Sequence, residues 1–335
     1  MEVLQNPASR PISNPRPPAT GLHKSVTAIC YQGRGVGNFG PEYMRKILLC
    51  TDLDRTLIPN GPQVESPGAR DMFSAFVARD DVQLAYVTGR NLRLITDSIE
   101  QWGLPVPDFA IADVGTSIYH LDNHAWHHWQ PWEDEIAADW RGLAAPDVHR
   151  VLDGLAGLEL QEPDAQNTHK LSYYVDLAAD ETQVIAAAEA RLAAEGIRVK
   201  LIWSVDEEAR IGLLDVLPES ASKRHAIGFL MQSGFYDADH TIFAGDSGND
   251  INVIMSPIHS IIVANADDDV LSAIAETPPP NAYMASGDFF GLNGCYASGI
   301  LEGVAHFCPE FAPVIGNIAA RQRADGPVGP DLHAA

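Results

Sequence analysis

Short apolar runs alternate with helical patterns along most of this chain, and this alternation limits its fold more than any other feature. One helical pattern is Asn91–Trp102, where Leu92, Ile95 and Ile99 recur at helical spacing, and another is expected from Asn249 onward. Such alternation is typical of an α/β fold with a doubly wound parallel sheet covered by helices. The predicted strands are Ile47–Thr51, Gln83–Thr88, Phe109–Asp113, Thr241–Gly245 and Ser260–Val263.

The alternation is interrupted between residues 121 and 215, which we interpret as an inserted α+β domain. Its predicted helices are Trp132–Arg141 and Asp180–Glu195, and its predicted strands are Lys170–Val175, Lys200–Trp203 and Arg210–Leu214. The core is then expected to comprise residues 44–120 and 216–312. Residues 1–43 and 313–335 are predicted to be a disordered leader and tail. Met44, just before the first strand, is a candidate alternative start.

The charge balance excludes some classes of partner. The formal net charge is −23, which disfavours nucleic acid because its binding depends on Lys and Arg that neutralise phosphates. A small anionic substrate remains compatible if a bound cation reverses the local field. The sequence contains no apolar run as long as the roughly 20 residues of a membrane-spanning helix. Four cysteines without a close pair indicate reduced thiols and a cytoplasmic protein.

Two carboxylates, Asp52 and Asp54, follow the first predicted strand directly. Active sites of open α/β sheets lie at the carboxyl ends of such strands. One carboxylate could attack phosphorus and bind a hard cation, while the other exchanges protons with the leaving group and water. The alternative is an ordinary solvated turn, because Asp is common in turns.

Three further segments carry candidate groups. Thr88, Gly89 and Arg90 join a strand to a helix, where a helix N-terminus can bind phosphate, although Thr88 could simply cap the helix. Around the later strand end, Asp246 and Asp250 are suited to Mg²⁺, which prefers oxygen ligands; the alternative is a capping loop. Lys223 precedes a helix and could equally be a surface lysine.

Together these segments resemble the four-motif set of the haloacid dehalogenase superfamily. The insertion between the second and third motifs is similar to the α/β cap of its sugar phosphatases. Residues 84–90, 114–120, 170–173, 215–218 and 299–307 resemble the sucrose-6-phosphate phosphatase family in particular. Two positions depart from that pattern, because Arg55 and Leu57 occupy positions that hold Asn or His and Trp in several members.

The resemblance implies a role for each matching residue. Asp52 corresponds to the nucleophile and Asp54 to the general acid/base, whose backbone carbonyl also reaches Mg²⁺. Thr88 and Lys223 correspond to the groups that hold the phosphoryl oxygens, and Asp246 to a carboxylate ligand of Mg²⁺. Asp250 is expected to support the metal or to orient Lys223. The residues expected to bind substrate are Thr56, Gly89, Arg90, Lys170 and Asn249.

The function implied by the resemblance is Mg²⁺-dependent hydrolysis of a sugar phosphate, with sucrose 6-phosphate as the leading substrate. Alternatives are another glycosyl phosphate, such as mannosylfructose phosphate or glucosylglycerol phosphate, and a non-catalytic phosphatase-like binding module. Association with a sucrose-phosphate synthase is also expected. The cluster of His120, His124, His127 and His128 is interpreted as a polar surface around the hinge into the cap rather than a zinc site.

Overall fold

The computed structural model describes residues 46–206, 209–234 and 236–325. The strands of these residues are β1 (Ile47–Thr51), β2 (Val82–Val87), β3 (Phe109–Ala112), β4 (Ser117–Asp122), β5 (Ala125–His128), β6 (Glu159–Leu160), β7 (Leu171–Val175), β8 (Val199–Asp206), β9 (Ile211–Pro218), β10 (Thr241–Gly245), β11 (His259–Ile262) and β12 (Ala282–Met284). The helices are α1 (Ala69–Val77), α2 (Leu92–Trp102), α3 (Gln130–Ala137), α4 (Ala145–Leu152), α5 (Glu181–Ala194), α6 (Lys223–Gly234), α7 (Ile251–Ile254), α8 (Asp268–Glu276), α9 (Ala297–Phe307) and α10 (Ala312–Asp325).

The larger sheet has eight strands in the order β12-β11-β10-β1-β2-β3-β4-β5. The strands from β12 to β3 pair in parallel, and β4 and β5 add an antiparallel edge. The chain moves outward from β1 in one direction through β2 and β3, and in the other through β10, β11 and β12. The strand order therefore reverses between β1 and β10, the position at which open α/β sheets bind ligands.

Both faces of this sheet are covered because its central strands are apolar on both sides. Ile47 and Leu49 pack in a cluster with α1, α2, α9 and α10, whereas Leu48 and Cys50 pack with α3, α6, α7 and α8. Successive strand residues point to opposite faces, so a strand buried on both faces is a continuous apolar run. All five residues of β1 are buried, as this arrangement requires.

The smaller sheet, which we call the cap sheet, has the antiparallel order β6-β7-β9-β8. One face packs against α4 and α5 through residues such as Tyr173, Leu214 and Val216. Their neighbours Ser172 and Asp215 point to the opposite face, since strand residues alternate. The cap contacts the core, because Asn167 Nδ2 donates to Thr116 Oγ1 (2.9 Å) and Asn91 Nδ2 donates to the Asp164 carbonyl (2.9 Å). The predicted doubly wound sheet with an inserted α+β domain is confirmed.

The predicted limits of the insertion, 121 and 215, are wrong. Strands β4 and β5 extend the core sheet to His128, and α3 packs on the core through Trp132 and Ile136. A tight reversal with positive φ at Asp113 and Val114 turns the chain back beside β3, so the histidine-rich segment forms a sheet edge and not a hinge. At the other end, β9 continues to Pro218.

The predicted disorder from residue 313 is wrong as far as Asp325. Helix α10 covers this segment and buries Ile315 and Ala319 against the core. Its Pro313 lies in the first turn, where proline is tolerated, and Gly316 allows the Phe290 ring to approach closely. These two residues conceal the helix in the sequence. The predicted leader, Met44 and residues 326–335 lie outside the described residues.

Across the described ranges, every helix is too short or too polar to span a membrane.

Candidate active site

The candidate residues meet at the carboxyl edge of the core sheet, where the strand order reverses. Asp52 follows β1, Thr88 follows β2, Asp246 follows β10, and Lys223 begins α6. The amide of Asp52 donates to the Ala244 carbonyl (2.9 Å), which continues the β1–β10 ladder and fixes where the Asp52 side chain leaves the sheet. Four segments that are distant in sequence therefore converge on one site.

Lys223 joins three of the predicted residues. Its Nζ lies 3.0 Å from Asp52 Oδ1, 2.7 Å from Asn249 Oδ1 and 2.7 Å from Asp250 Oδ1, and the Lys223 side chain is buried. Burial alone would lower the pKa of Lys223, but the carboxylates of Asp250 and Asp52 outweigh burial and raise it above its ordinary value. Lys223 is therefore a permanent cation beside the predicted nucleophile.

Asp250 is positioned by both of its carboxylate oxygens. While Oδ1 accepts from Lys223, Oδ2 accepts from the amides of Asp246 (3.1 Å) and Ser247 (3.2 Å). Gly245 leaves room for this carboxylate, because a Cβ there would lie 2.6 Å from Asp250 Oδ2. Of the two roles expected for Asp250, these contacts favour orienting Lys223.

Asp246 has the contacts expected of a metal ligand. Its carboxylate, with those of Asp52 and Asp250, belongs to a buried group whose oxygens lie within 4.8 Å of one another. Oδ1 accepts from the Thr56 hydroxyl (2.9 Å), and Oδ2 is buried with no hydrogen-bond partner among the described residues. A buried carboxylate oxygen without a donor fits a hard cation, so Asp52 and Asp246 can hold one. The Thr56 hydroxyl thus orients Asp246, and its predicted contact with substrate stays a prediction.

The surroundings of Asp52 and Asp246 disfavour the ionised form of both carboxylates. Burial raises the pKa of Asp52 to about 7, and the Asp250 and Asp246 carboxylates add to this effect while Lys223 opposes it. Burial likewise raises the pKa of Asp246 to about 6, against the Thr56 hydrogen bond and the charge of Arg55. A divalent cation between them would favour the ionised forms and so lower both pKa values.

Asp54 is paired with Arg90, a residue that the sequence predicts to bind substrate. Arg90 Nε and Nη2 lie 2.8 and 2.6 Å from the two Asp54 oxygens, and Asn60 Nδ2 donates to Oδ1 (2.7 Å). Burial tends to raise the pKa of Asp54, but the hydrogen bonds and charge of Arg90 outweigh it and hold the pKa below its ordinary value. Asp54 is therefore a carboxylate, suited to accept a proton from water.

A cavity of about 370 Å³ opens in front of these groups. Lys223 is not among the residues that line it. Those residues come from three of the four motifs and their surroundings, namely Asp52, Asp54, Arg55, Thr88, Gly89, Arg90, Leu94, Asp246, Ser247, Asn249 and Asp267. Thr88 and Gly89 belong to this lining, and the buried Thr88 Oγ1 accepts from the Arg90 amide (3.3 Å). Thr88 and Gly89, which precede the N-terminus of α2, therefore offer donors for a phosphate in the same cavity as Asp52.

Lys170 is not among the residues that line this cavity. It lies at the start of β7, with Nζ 3.7 Å from Asp215 Oδ2, and Asp215 also accepts from the Ser172 hydroxyl. The charge of Lys170 also acts on Asp113, whose pKa is raised mainly by burial. This polar group lies where the cap meets the core.

Three residues around Asp52 and Asp246 are not predicted from the sequence. Arg55, Asn265 and Asp267 line or support the same end of the cavity, and Asn265 Nδ2 donates to the Arg55 carbonyl (2.6 Å). In the sequence, Arg55 stands out only as a departure from a family pattern. Asn265 and Asp267 come just after a predicted strand, β11, so their position alone could have suggested that they lie near the site. No sequence motif identifies them.

Comparison with known proteins gives consistent results. The family described as Sucrose-6F-phosphate phosphohydrolase matches residues 45–308. A HAD-like hydrolase of Nitrosococcus oceani is 49% identical over 270 residues, which are 79% of this chain and 73% of that protein. The mannosylfructose-phosphate phosphatase of Agrobacterium fabrum is 28% identical over 264 residues, which are 78% of this chain and 96% of that protein.

A solved structure with the same fold is the sucrose-phosphatase of Synechocystis in complex with sucrose and phosphate. It has a TM-score of 0.61 and 30% identity, and the match covers 79% of this chain and 98% of that chain. The chain spans 59–61% of the length of plant sucrose-phosphatases that it also matches. The chain belongs to the Sucrose-6F-phosphate phosphohydrolase family of HAD-like hydrolases, a family of phosphoric monoester hydrolases.

Proposed function

We propose that this protein hydrolyses a glycosyl phosphate through a phospho-aspartate on Asp52, with Mg²⁺ as cofactor and sucrose 6-phosphate as the substrate. The observation that carries the proposal is the setting of Asp52 in the cavity. Its carboxylate lies near the Lys223 ammonium, 3.0 Å away, and near a second buried carboxylate, Asp246, of which one oxygen accepts no hydrogen bond from the described residues. Phosphoryl transfer depends mainly on positioning and on neutralising charge, and this setting supplies both.

In the first step an Asp52 oxygen attacks phosphorus, and the bond between phosphorus and the sugar oxygen breaks. The leaving oxygen takes a proton from Asp54, so Arg90 must release Asp54 in its protonated form at this stage. Thr88, which lies in the cavity wall, and Lys223, whose Nζ is 3.0 Å from Asp52 Oδ1, would hold the phosphoryl oxygens. Asp52 and Asp246 would hold the cation, which when bound neutralises charge on the phosphoryl group.

In the second step a water molecule gives its proton to the Asp54 carboxylate and attacks the phosphorus of the acyl phosphate. The Asp52–phosphorus bond breaks, which releases phosphate and restores the Asp52 carboxylate. The pairing of Asp54 with Arg90 keeps Asp54 in the basic form that this step requires.

The substrate assignment rests on family membership and on the relatives' activities rather than on a sugar contact. The Synechocystis protein binds sucrose and phosphate, and the Agrobacterium protein acts on mannosylfructose phosphate. A disaccharide phosphate is thus the common substrate class. In the cap, the pair of Lys170 and Asp215 offers donors and acceptors for sugar hydroxyls.

Phosphate release from sucrose 6-phosphate, mannosylfructose phosphate, glucosylglycerol phosphate and glucose 6-phosphate tests the proposal, each with Mg²⁺ and with EDTA. We expect the highest kcat/KM for sucrose 6-phosphate, because this ratio measures discrimination between substrates. A preference for another glycosyl phosphate would retain the chemistry and replace the substrate. No Mg²⁺-stimulated release from any compound would favour a non-catalytic binding module.

We further propose that the protein acts in the cytoplasm, since the described cysteines Cys50, Cys295 and Cys308 are buried free thiols. The expected association with a sucrose-phosphate synthase stays a prediction, and co-purification of the two proteins at native expression levels would test it.

A further inference from the structure

Arg55 is held over the metal-ligand end of the cavity by contacts on several sides. Its backbone has a positive φ of 58°, its amide donates to Asn60 Oδ1 (2.8 Å), and its carbonyl accepts from Asn265. The side chain extends toward Asp267, with Nη2 2.6 Å from Asp267 Oδ1. A left-handed backbone at a residue with a long side chain is strained, and here hydrogen bonds at both backbone groups hold it.

Two charged atoms that lack a hydrogen bond face each other in this arrangement. Arg55 Nε and Asp246 Oδ2 are each buried without a hydrogen-bond partner in the part of the chain that the structure describes. They lie 3.6 Å apart, too far for a good hydrogen bond and close enough for a strong charge interaction. Buried polar atoms are normally satisfied, so a facing pair without hydrogen bonds indicates that a further group belongs beside them.

Only one strong cationic partner at a time can compensate Asp246 Oδ2. If a divalent cation binds this oxygen, it also comes close to the Arg55 guanidinium, and the two positive charges repel each other. Asp267 limits that repulsion, because its carboxylate pairs with Nη2 of Arg55 and compensates part of the guanidinium charge. The affinity for the metal then depends on how far the Arg55 guanidinium lies from Asp246 Oδ2.

We propose that Arg55 is a built-in competitor of the divalent cation at Asp246, and that Asp267 moderates this competition by holding the guanidinium. The proposal rests on the Mg²⁺ dependence of the proposed function, because it concerns the same carboxylate. It predicts that the protein binds Mg²⁺ more weakly than its two ligand carboxylates alone would allow.

Calorimetric titration of Mg²⁺ into the metal-free full-length protein tests this directly, without a substrate. The main variant is Arg55→Asn, since Asn tolerates a positive φ and removes the guanidinium. We expect its Kd for Mg²⁺ to fall about tenfold, a magnitude typical of one partly exposed charge close to a buried carboxylate. Arg79→Gln is the matched control, because it makes the same change in net charge beside Asp81, at the opposite end of the sheet.

Asp267→Asn is the second variant, and we expect it to weaken Mg²⁺ binding because the guanidinium is then free to reach Asp246. In the Arg55→Asn background the effect of Asp267→Asn should shrink, since the coupling acts through the guanidinium. An unchanged or larger Kd in Arg55→Asn would overturn the inference while leaving the metal dependence intact. If neither the wild type nor Arg55→Asn binds Mg²⁺, both the inference and the metal dependence of the proposed function are refuted.

Discussion

Gly115 lies in the turn after β3 and packs against the start of α6, and its replacement by alanine offers a sharp test of the site geometry. Its φ is 94°, and an added Cβ would lie 2.5 Å from the Ser222 carbonyl carbon and 2.9 Å from the Lys223 amide nitrogen. Ordinary contact begins near 3.4 Å, so the backbone at Ser222 must move by about 0.9 Å. Both contacts are with backbone, which cannot swing aside as a flexible side chain would.

The expected loss of stability has two parts. The positive φ costs an alanine about 1–2 kcal/mol, and the overpacking costs a further 1–3 kcal/mol or so. The free energy of unfolding of Gly115→Ala should therefore fall by about 2–5 kcal/mol, measured by urea denaturation monitored by circular dichroism. Because Lys223 moves with Ser222, kcat should also fall by roughly 100-fold, the usual effect of a displacement near 1 Å.

Gly103→Ala is the matched control. Gly103 also has a positive φ, 62°, but no atom of the described residues lies within 4 Å of the position that an added Cβ would take. The free energy of unfolding of Gly103→Ala should fall only by the cost of the positive φ, about 1–2 kcal/mol, and its kcat should be unchanged. If Gly115→Ala matched Gly103→Ala in both stability and kcat, the claimed contact with Ser222 and Lys223 would be refuted.

Three further predictions concern the charges of the site. Lys223→Met should lower the free energy of unfolding of the metal-free protein by about 3–5 kcal/mol in urea denaturation, because it leaves buried Asp52 and Asp250 without their cation; an unchanged midpoint would contradict this. Since burial raises the folded-state pKa values of Asp52 to about 7 and Asp246 to about 6, the unfolded state binds fewer protons, and the metal-free protein should lose stability as pH rises from about 4 to 7. Mg²⁺ should then raise Tm more at pH 8 than at pH 5, and an equal increase in Tm at both pH values would refute this prediction. Arg90→Met should raise the pKa of Asp54 and so move the acidic limb of the pH–kcat profile upward, whereas loss of activity at every pH would indicate a purely structural role for Arg90.

Much of the core is predictable because its signals are local. An apolar run that is buried on both faces identifies β1 and its neighbours, and the motif residues follow these strands directly, so Asp52, Thr88 and Asp246 can be assigned to one edge. Parallel strands bring their carboxyl ends together whatever the intervening sequence. That rule is sufficient to predict the site.

The remaining features depend on contacts between distant residues. In the sequence Arg90 looks like a phosphate ligand, and only the fold shows that its guanidinium reaches Asp54. Asn265 supports Arg55 across 210 positions of sequence, a separation at which no local pattern carries information. The β4–β5 hairpin and α10 are not predicted because histidines, Pro313 and Gly316 obscure the periodicity that their buried residues have.

The central claim is that Asp52 becomes phosphorylated during turnover. The most direct measurement is rapid acid quench of the protein with sucrose 6-phosphate and Mg²⁺ in the pre-steady state, followed by proteolysis and mass spectrometry. We expect the peptide that contains Asp52 to gain the mass of one phosphoryl group. In the Asp52→Asn variant the same peptide should stay unmodified, and the variant should be inactive. Phosphate release without any labelled Asp52 peptide, or activity near the wild-type level in Asp52→Asn, would contradict the account.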